Sequence, residues 1–320
     1  MRFFSKTATA LLCAATLVGC SSRGMSIEEL MTQLSYETTA SVGYPKPASA
    51  EDGSGLPDVA LAIAPVEKPV QTAALVVPSP RQASPSRGKQ KVYSQRFSDA
   101  KPINFGRHAP QNLPVHGVDV SRWQGNIDWE KLRQHGANFV YIKATDGGDH
   151  LDPMFHKNWK AASAAGLKHG AYHFFYWCRT ASEQADWFIR NVPKEKGALP
   201  PVLDVEWNAF SQCKKRPSRE QVLEKMRVFI QKVERHYGQK PIIYTAPDFY
   251  KDNLQGAFKD YPFWLRSVAA HPSKVYPGRD WVLWQYSGTG LSKGVGEKID
   301  LNAFNGSERD WHNWVARNTH

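Results

Sequence analysis

The feature that most constrains the fold of this chain is a regular alternation of strand and helix patterns that begins at Val115. Short β-branched and aromatic runs, typical of buried strands, alternate with longer segments that carry helix start and stop signals. The predicted strands are Val115 to Val120, Phe139 to Ala144, Gly170 to Phe175, Val202 to Val205, Ile242 to Thr245, Phe263 to Val268, Trp281 to Tyr286 and Lys298 to Leu301.

Each of the first five strands is followed by a helix pattern, whereas Gly and Pro turns separate the last three. This order predicts an α/β fold, a modified TIM-like barrel with five strand-helix units and three further strands. An open doubly wound sheet is the alternative, but no glycine-rich phosphate loop follows the first strand.

The first third of the chain has a different composition. Residues 43–114 are rich in Pro, Ala, Ser, Val and Lys and poor in aromatic residues, which is typical of a disordered linker. The predicted organisation is therefore a signal peptide at 1–20, a short mature segment at 21–42, the linker at 43–114, the barrel at 115–308 and a C-terminal tail at 309–320.

The N-terminus has the features of a secretory signal. Arg2 and Lys6 precede an apolar run that is too short for the roughly 20 residues of a membrane-spanning helix. The run ends in Leu17-Val-Gly-Cys20, which resembles the bacterial lipobox, so Cys20 is the predicted lipid attachment site. A plain signal peptide with an incidental cysteine is the alternative. We expect an exported envelope lipoprotein, held in the outer membrane and facing the periplasm if the organism is Gram-negative.

The formal net charge of +11 is unevenly distributed. Between Pro78 and Gln111 the linker holds seven Lys and Arg residues against Asp99 alone. A solvated tether is the favoured interpretation, and contact with anionic lipid head groups or wall polymers is the alternative. Nucleic acid is not an expected partner, because an exported chain without an aromatic and basic recognition motif does not fit that class.

Two of the four cysteines, Cys178 and Cys213, remain once the signal peptide is removed and Cys20 is lipidated. Both follow predicted strands at the same end of the fold, and export places them in an oxidising compartment. A disulfide between them is expected, and two unpaired buried thiols are the alternative.

The carboxyl ends of the predicted strands carry a set of acidic and aromatic residues. Because reactive groups of such barrels lie at these ends, we expect an acidic cup with an aromatic wall. Its acids are Asp119, Asp146, Asp204, Glu206 and Asp300, and its other candidates are Tyr172, Phe174, Tyr244, Trp284, Gln285 and Tyr286. Asp204 and Glu206 are two residues apart on one strand and so point the same way.

This pattern points to glycoside hydrolysis. That reaction needs one carboxyl group to protonate the leaving oxygen and a second to stabilise an oxocarbenium-like transition state. Crowded, buried carboxyls raise each other's pKa, which keeps one protonated near neutral pH. His173 is expected to be a packing residue, and no metal or cofactor is expected, because no second His or Cys stands at ligand spacing.

Six blocks of the sequence resemble the glycoside hydrolase family 25 lysozymes. They are His116-Gly-Val-Asp119-Val-Ser-Arg-Trp-Gln124, Tyr141-Ile-Lys-Ala-Thr-Asp146, Asp152-Pro153, Gly170-Ala-Tyr-His-Phe174, Leu203-Asp-Val-Glu206 and Trp284-Gln-Tyr286. All occur in order between about Val115 and Asn305. The resemblance implies a barrel of five strand-helix units and three strands that cleaves the β-1,4 bond between N-acetylmuramic acid and N-acetylglucosamine in peptidoglycan.

The resemblance also implies roles for individual residues. Glu206 matches the general acid and Asp204 its partner, which orients or stabilises the reacting sugar through its 2-acetamido group. Asp119 and Asp300 match supporting acids. The chain departs from the family at Asp146, where a glutamate is usual, and the shorter side chain puts the contact made there in doubt.

Two other functions compete with a muramidase. One is a wall-binding protein that grips glycan without cutting it, and the other is a hydrolase of a different 2-acetamido glycan such as chitin. Retention of every central acid argues against the first. A monomer is expected.

Overall fold

The structure is a computed structural model that describes residues 90–208, 213 and 215–319. The predicted signal peptide with Cys20, the short mature segment and residues 43–89 of the predicted linker lie outside the described residues. The strands are β1 (Ser98–Asp99), β2 (His116–Val120), β3 (Ala137–Asp146), β4 (His150–Leu151), β5 (Lys168–Phe174), β6 (Val202–Val205), β7 (Ile242–Thr245), β8 (Phe263–Arg266), β9 (Leu283–Leu291) and β10 (Ile299–Phe304). The α-helices are α1 (Trp129–Gln134), α2 (Phe155–Ala164), α3 (Ala181–Asn191), α4 (Arg219–Tyr237), α5 (Pro247–Phe249), α6 (Pro272–Val275) and α7 (Glu308–Asn318).

Within the described part of the chain, eight strands close into a barrel in the order β2, β3, β5, β6, β7, β8, β9 and β10. Strands β2 to β9 of this barrel are parallel, and β10 closes it by pairing antiparallel with both β9 and β2. The small strands β4 and β1 extend the sheet from β3 and β9. The predicted fold class, a modified α/β barrel, is confirmed.

The parallel strands give the barrel two distinct ends. We call the end where β2, β3 and β5 to β9 finish the cup end, and the end where they begin the floor end. Alternation along each strand directs one set of side chains into the barrel and the other set toward the helices. Phe139, Tyr141 and Trp264 fill the interior, whereas Val140, Ile142 and Leu265 pack under the helical layer.

The helices form where the sequence supplies caps. Ser218 and Gln221 make a reciprocal capping box at the start of α4, and Gly238 ends the helix in the left-handed conformation with φ 72°. The buried face of α4 carries Val222, Met226, Phe229, Ile230 and Val233, spaced as a helix that packs on a sheet requires.

The predicted linker extends to residue 114, but the structure describes residues 90–114, which we call the strap, as part of the folded domain. They pack along the outside of the barrel, where β1 pairs with the end of β9. The Phe105 ring contacts Trp284 edge-on at a centroid distance of 5.1 Å. Strands β9 and β10 lack the long helices that cover the first strands, so their outer apolar face is covered by the few aromatic residues of the strap.

The predicted C-terminal tail at 309–320 is also corrected, because most of it forms α7. Ser307 caps this helix, and the Trp311 ring packs on Phe139 inside the barrel at 5.2 Å. Helix α7 therefore closes the floor end. In the described ranges, no helix has both the length and the apolar character that crossing a membrane requires.

Candidate active site

The closed barrel brings all five predicted acids to the cup end. Asp119 is the last residue but one of β2, and Asp300 lies directly opposite it on the antiparallel strand β10. Asp204 lies on β6 and Glu206 just beyond it, on the same inward face. The side chains of all five acids are almost completely buried, with Glu206 the most exposed at 8%. The predicted acidic cup is present.

Asp119 is the hub of a hydrogen-bond network at the base of the cup. It accepts hydrogen bonds from the Asn302 amide at 2.7 Å and from the Gln285 amide at 3.0 Å. The Gln285 carbonyl oxygen accepts in turn from the Tyr244 hydroxyl at 2.9 Å. Burial raises the pKa of Asp119 to about 6, against the opposing effect of the hydrogen bonds from Asn302 and Gln285. The network fixes the Asp119 carboxyl among its donors.

Burial also dominates the electrostatics of the central pair. It raises the pKa of Asp204 well above its ordinary range, and the negative charge of Glu206 raises it further. Burial raises the pKa of Glu206 to about 7, although the Arg266 guanidinium opposes the shift. The cup therefore retains a proton near neutral pH, which general acid catalysis requires.

Two buried cations balance the acids of the cup. The Lys143 ammonium forms a salt bridge with the Asp146 carboxyl at 2.8 Å, with both side chains at most 5% exposed. A register shift between Lys143 and Thr145 changes the alternation of β3, so that Asp146 lies beside Phe174 on the inward face. Arg266 ends β8 and is 4% exposed. The positive charge of Lys143 lowers the pKa of both Asp204 and Glu206.

Of the predicted aromatic wall, Tyr172, Phe174 and Tyr244 lie inside the barrel. Tyr172 and Tyr244 belong to the interior core with Trp264, and the Lys143 ammonium lies 5.2 Å from the centre of the Phe174 ring. Gln285 also points inward, as its bond to Asp119 shows.

Trp284 and Tyr286 do not lie in the cup, which corrects their assignment as substrate-binding residues. Strand alternation turns both away from Gln285 and toward the strap. The Trp284 indole donates to the Ser267 carbonyl at 2.7 Å, and the Tyr286 hydroxyl lies 3.1 Å from His116 Nδ1. These side chains thus contact neighbouring segments on the outside of the barrel.

His173 also points outward, as expected of a packing residue. Its Nε2 donates to the Gln184 side-chain carbonyl at 3.1 Å, and its Nδ1 accepts from the Thr145 hydroxyl at 2.8 Å. Burial lowers the pKa of His173 to about 4. The ring is therefore a neutral link between the barrel and α3.

Three contacts attach Glu206 and the described residues after it to the rest of the cup rim. The Trp177 indole donates to the main-chain carbonyl of Glu206 at 3.1 Å. The predicted disulfide between Cys178 and Cys213 is confirmed, with Cα atoms 5.9 Å apart. Trp207 follows Glu206 at the rim and donates to the Asp252 carboxylate at 2.7 Å.

Sequence reasoning missed four residues of the site: Lys143, Arg266, Asn302 and Trp177. Lys143 shares the inward alternation of Tyr141 on β3, and Asn302 shares that of the predicted Asp300 on β10, so strand period alone could have found them. Arg266 is the last residue of an apolar strand, and a position at the carboxyl end of a strand is the same signal that identified the acids. Trp177 acts through its indole N–H on a distant carbonyl, and no local pattern indicates that bond.

Comparison with known proteins gives a consistent result. The sequence model of "Glycosyl hydrolases family 25" matches residues 118–295, more than half of the chain. "Uncharacterized protein YegX" from Escherichia coli K12 is 36% identical over 228 residues, which cover 68% of this chain and 80% of that protein. "Lysozyme M1" from Streptomyces globisporus is 34% identical over 201 residues, covering 60% of this chain and 68% of that protein.

Solved structures show the same relationship. A family 25 glycosyl hydrolase from Bacillus anthracis superimposes with a TM-score of 0.62 at 39% identity, covering 68% of this chain and 99% of that chain. The bacterial lysozyme from Streptomyces coelicolor superimposes with a TM-score of 0.56 at 32% identity, covering 63% of this chain and 97% of that chain.

Proposed function

Because the chain belongs to glycosyl hydrolase family 25 and is a glycosidase, we propose that it hydrolyses peptidoglycan at the β-1,4 bond between N-acetylmuramic acid and N-acetylglucosamine. The observation that carries the proposal is the convergence of Asp119, Asp204, Glu206 and Asp300 in one buried cup. A protein that only binds glycan has no need to bury four acids together, since burial of several carboxyl groups in one place is costly. Related proteins named as lysozymes support the substrate class.

Glu206 is the proposed general acid. Its pKa of about 7 keeps much of it protonated near neutral pH, and its larger exposure places it nearest to a glycan lying across the cup. When the proton passes to the glycosidic oxygen, the anion left behind is stabilised by the positive charge of Arg266. This favours bond cleavage because the developing charge is compensated in the transition state.

Asp204 is the proposed partner of Glu206. It lies deeper in the cup at 2% exposure, and its Oδ1 atom is buried without a hydrogen-bond partner among the described residues. An amide N–H of a 2-acetamido group would satisfy this acceptor and orient the acetamido oxygen toward the anomeric carbon. Asp119 and Asp300 would shape the field around the reacting sugar, and Tyr172, Phe174, Tyr244 and Gln285 would line its binding site.

Asp146 has a proposed electrostatic role. Its salt bridge fixes the Lys143 ammonium within the cup, where that charge lowers the pKa of both central acids. The shorter aspartate side chain thus still reaches a partner on its own strand.

Digestion of defined glycans tests the proposed reaction. Purified peptidoglycan and chitin oligomers are incubated with the protein, and products are read by mass spectrometry. Muropeptides with a reducing N-acetylmuramic acid end are expected from peptidoglycan. Products from chitin alone would assign another 2-acetamido glycan, and binding without products from either polymer would assign a wall-binding protein.

We also propose that the protein is an envelope lipoprotein attached through Cys20, on the basis of its lipobox-like sequence. Cys20→Ala should release the protein from membranes, because the attachment is a lipid on this residue. Cell fractionation with a high-salt wash measures the release. Continued sedimentation of the variant with membranes would contradict the lipid assignment.

A further inference from the structure

The two ends of the barrel differ in charge. The cup end contains the five buried acids, and at the floor end a set of exposed and half-buried cations surrounds the beginnings of β3, β5, β6 and β7. We call this set the basic face: Lys91, Arg133, Lys168, Lys194, Lys196, Arg235 and Lys240. The acids next to it are Glu195 and Glu234. The charge of Asp260 is cancelled by that of Lys259, and α7 contributes two acidic and two basic residues, so neither adds net charge. The basic face is therefore strongly positive.

The acids beside the basic face already have partners. Glu195 accepts a hydrogen bond from the Trp159 indole at 2.7 Å and lies 3.6 Å from His169. Glu234 accepts from the Tyr261 hydroxyl at 2.8 Å. Among the lysines, Lys194 and Lys240 donate to main-chain carbonyls rather than to carboxylates. Most of the positive charge of this face is thus not neutralised by neighbouring acids.

A cavity of about 450 Å³ opens within the basic face. Its walls include Trp159, Leu199, Pro201 and Tyr237. Lys194 and Lys196 lie at its rim on either side of Glu195, whose carboxylate is bonded to the Trp159 indole and lies close to His169. Apolar walls below a cationic rim fit a molecule that has both an apolar chain and an anionic head group. An acidic phospholipid has this chemistry, whereas a polyanionic sugar polymer lacks the apolar part.

The chain also enters the barrel at this face. The side-chain amide of Gln90 donates to the carbonyl of Gly166, which precedes β5. The Tyr93 N–H donates to Asn138 at the beginning of β3 at 2.8 Å, and the Asn138 amide donates back to the Tyr93 carbonyl at 3.0 Å. Gln90, the first described residue, thus lies at the floor end, opposite the cup.

We propose that the basic face docks on an anionic phospholipid surface, with the cavity beside Lys194 and Lys196 accepting part of a lipid and the cup facing away from the bilayer. Cations held near an anionic bilayer are attracted to it, and the basic face groups seven of them around an apolar cavity, so this face is the one that we expect to meet the bilayer. The proposal depends neither on lipidation of Cys20 nor on the reaction in the cup.

Vesicle binding by the full chain with Cys20→Ala tests the docking separately from any lipid anchor. Vesicles of phosphatidylglycerol and phosphatidylcholine are compared with vesicles of phosphatidylcholine alone. The test variant combines K168Q, K194Q, K196Q and K240Q. The matched control combines K157Q, K251Q, K293Q and K298Q, four exposed lysines toward the cup end. Both variants lose the same charge and keep the basic residues that precede Gln90.

We expect the basic-face variant to bind anionic vesicles at least about tenfold more weakly than the parent, and the control to stay within about threefold. The circular dichroism spectrum and the urea unfolding midpoint of the basic-face variant should match those of the parent, which shows that it folds. Equal losses in the two variants, or equal binding of the parent to both kinds of vesicle, would overturn the proposal. Unchanged vesicle binding with weaker sedimentation on purified cell walls would assign the face to a wall polymer instead.

Discussion

The indole N–H of Trp177 donates a hydrogen bond to the main-chain carbonyl oxygen of Glu206 at 3.1 Å, and so links the loop after β5 to the residue that follows β6. The Trp177 ring also stacks on Phe249 at a centroid distance of 5.0 Å. One residue further along, Cys178 is bonded to Cys213. The backbone of the proposed general acid is thus held by a hydrogen bond, a ring stack and a nearby covalent bond.

Trp177→Phe should lower kcat with little change in KM. Phenylalanine preserves the stack on Phe249 but removes the N–H donor, leaving a buried carbonyl without that hydrogen bond. A loss of about 1 kcal/mol in positioning corresponds to roughly a fivefold fall in kcat. Steady-state kinetics on soluble glycan measure it, with Trp159→Phe at the floor end as the control. Equal kinetic effects of the two substitutions would show that Trp177 has no specific action on Glu206.

The disulfide should stabilise the fold. Its two cysteines are 35 residues apart, and the chain-entropy account gives about 3 to 4 kcal/mol for closing a loop of that length. The double variant Cys178→Ala and Cys213→Ala should therefore unfold at a lower urea concentration than the parent. Thiol labelling of denatured, unreduced protein provides the independent check. Complete labelling of both cysteines would mean that the bond does not form.

Glu206→Gln should abolish most turnover while substrate binding survives. Glutamine keeps the shape of the side chain but has no acidic proton to give to the leaving oxygen. Activity on intact cell wall should fall by at least about a hundredfold, the lower bound for general acid catalysis. Turbidity loss of wall suspensions measures activity, and sedimentation with the walls measures binding. If the variant keeps more than about a tenth of the parent activity, the proton comes from another carboxyl of the cup.

The inward-facing acids of the site could be predicted because barrel strands alternate with period 2 and end at one edge. Asp119, Asp204 and Asp300 needed only that rule and the strand order. Asp146 reached the inward face for a different reason, since the register shift after Lys143 reversed the alternation there. No property of the Lys-Ala-Thr-Asp sequence reveals such a bulge.

The order of the strap and the outward orientation of Trp284 and Tyr286 could not be predicted either, because both depend on contacts between residues far apart in the sequence. The strap has the composition of a linker, and its order depends on a few contacts with distant residues, such as Phe105 on Trp284. Three consecutive residues, Trp284 to Tyr286, were assigned to the cup together, although a strand can direct only the middle one or the outer two inward. The hydrogen bond of Gln285 to Asp119 shows which alternative holds.

The pH dependence of hydrolysis should shift in opposite directions when the positive charge of Arg266 and the negative charge of Asp204 are removed one at a time, because both act on Glu206. The Arg266 guanidinium lowers the pKa of Glu206, so Arg266→Met should raise that pKa. Activity that needs protonated Glu206 is present below its pKa and lost above it, so the high-pH limb should shift toward alkaline pH. The charge of Glu206 raises the pKa of Asp204, and this coupling is mutual. Asp204→Asn should therefore lower the pKa of Glu206 and shift the limb of its residual activity toward acidic pH.

Profiles of kcat/KM against pH measure both shifts, because this ratio reports the ionisation of the free enzyme. Arg266→Lys keeps the positive charge and should leave the limb near its parent position. Arg279→Met serves as the control, since Arg279 is bound by Leu254 and Ala257 carbonyls outside the cup. Limbs that move in the same direction in Arg266→Met and Asp204→Asn would contradict an electrostatic origin. In that case, the limb would report a group other than Glu206, because a positive and a negative neighbour cannot shift one carboxyl's pKa alike.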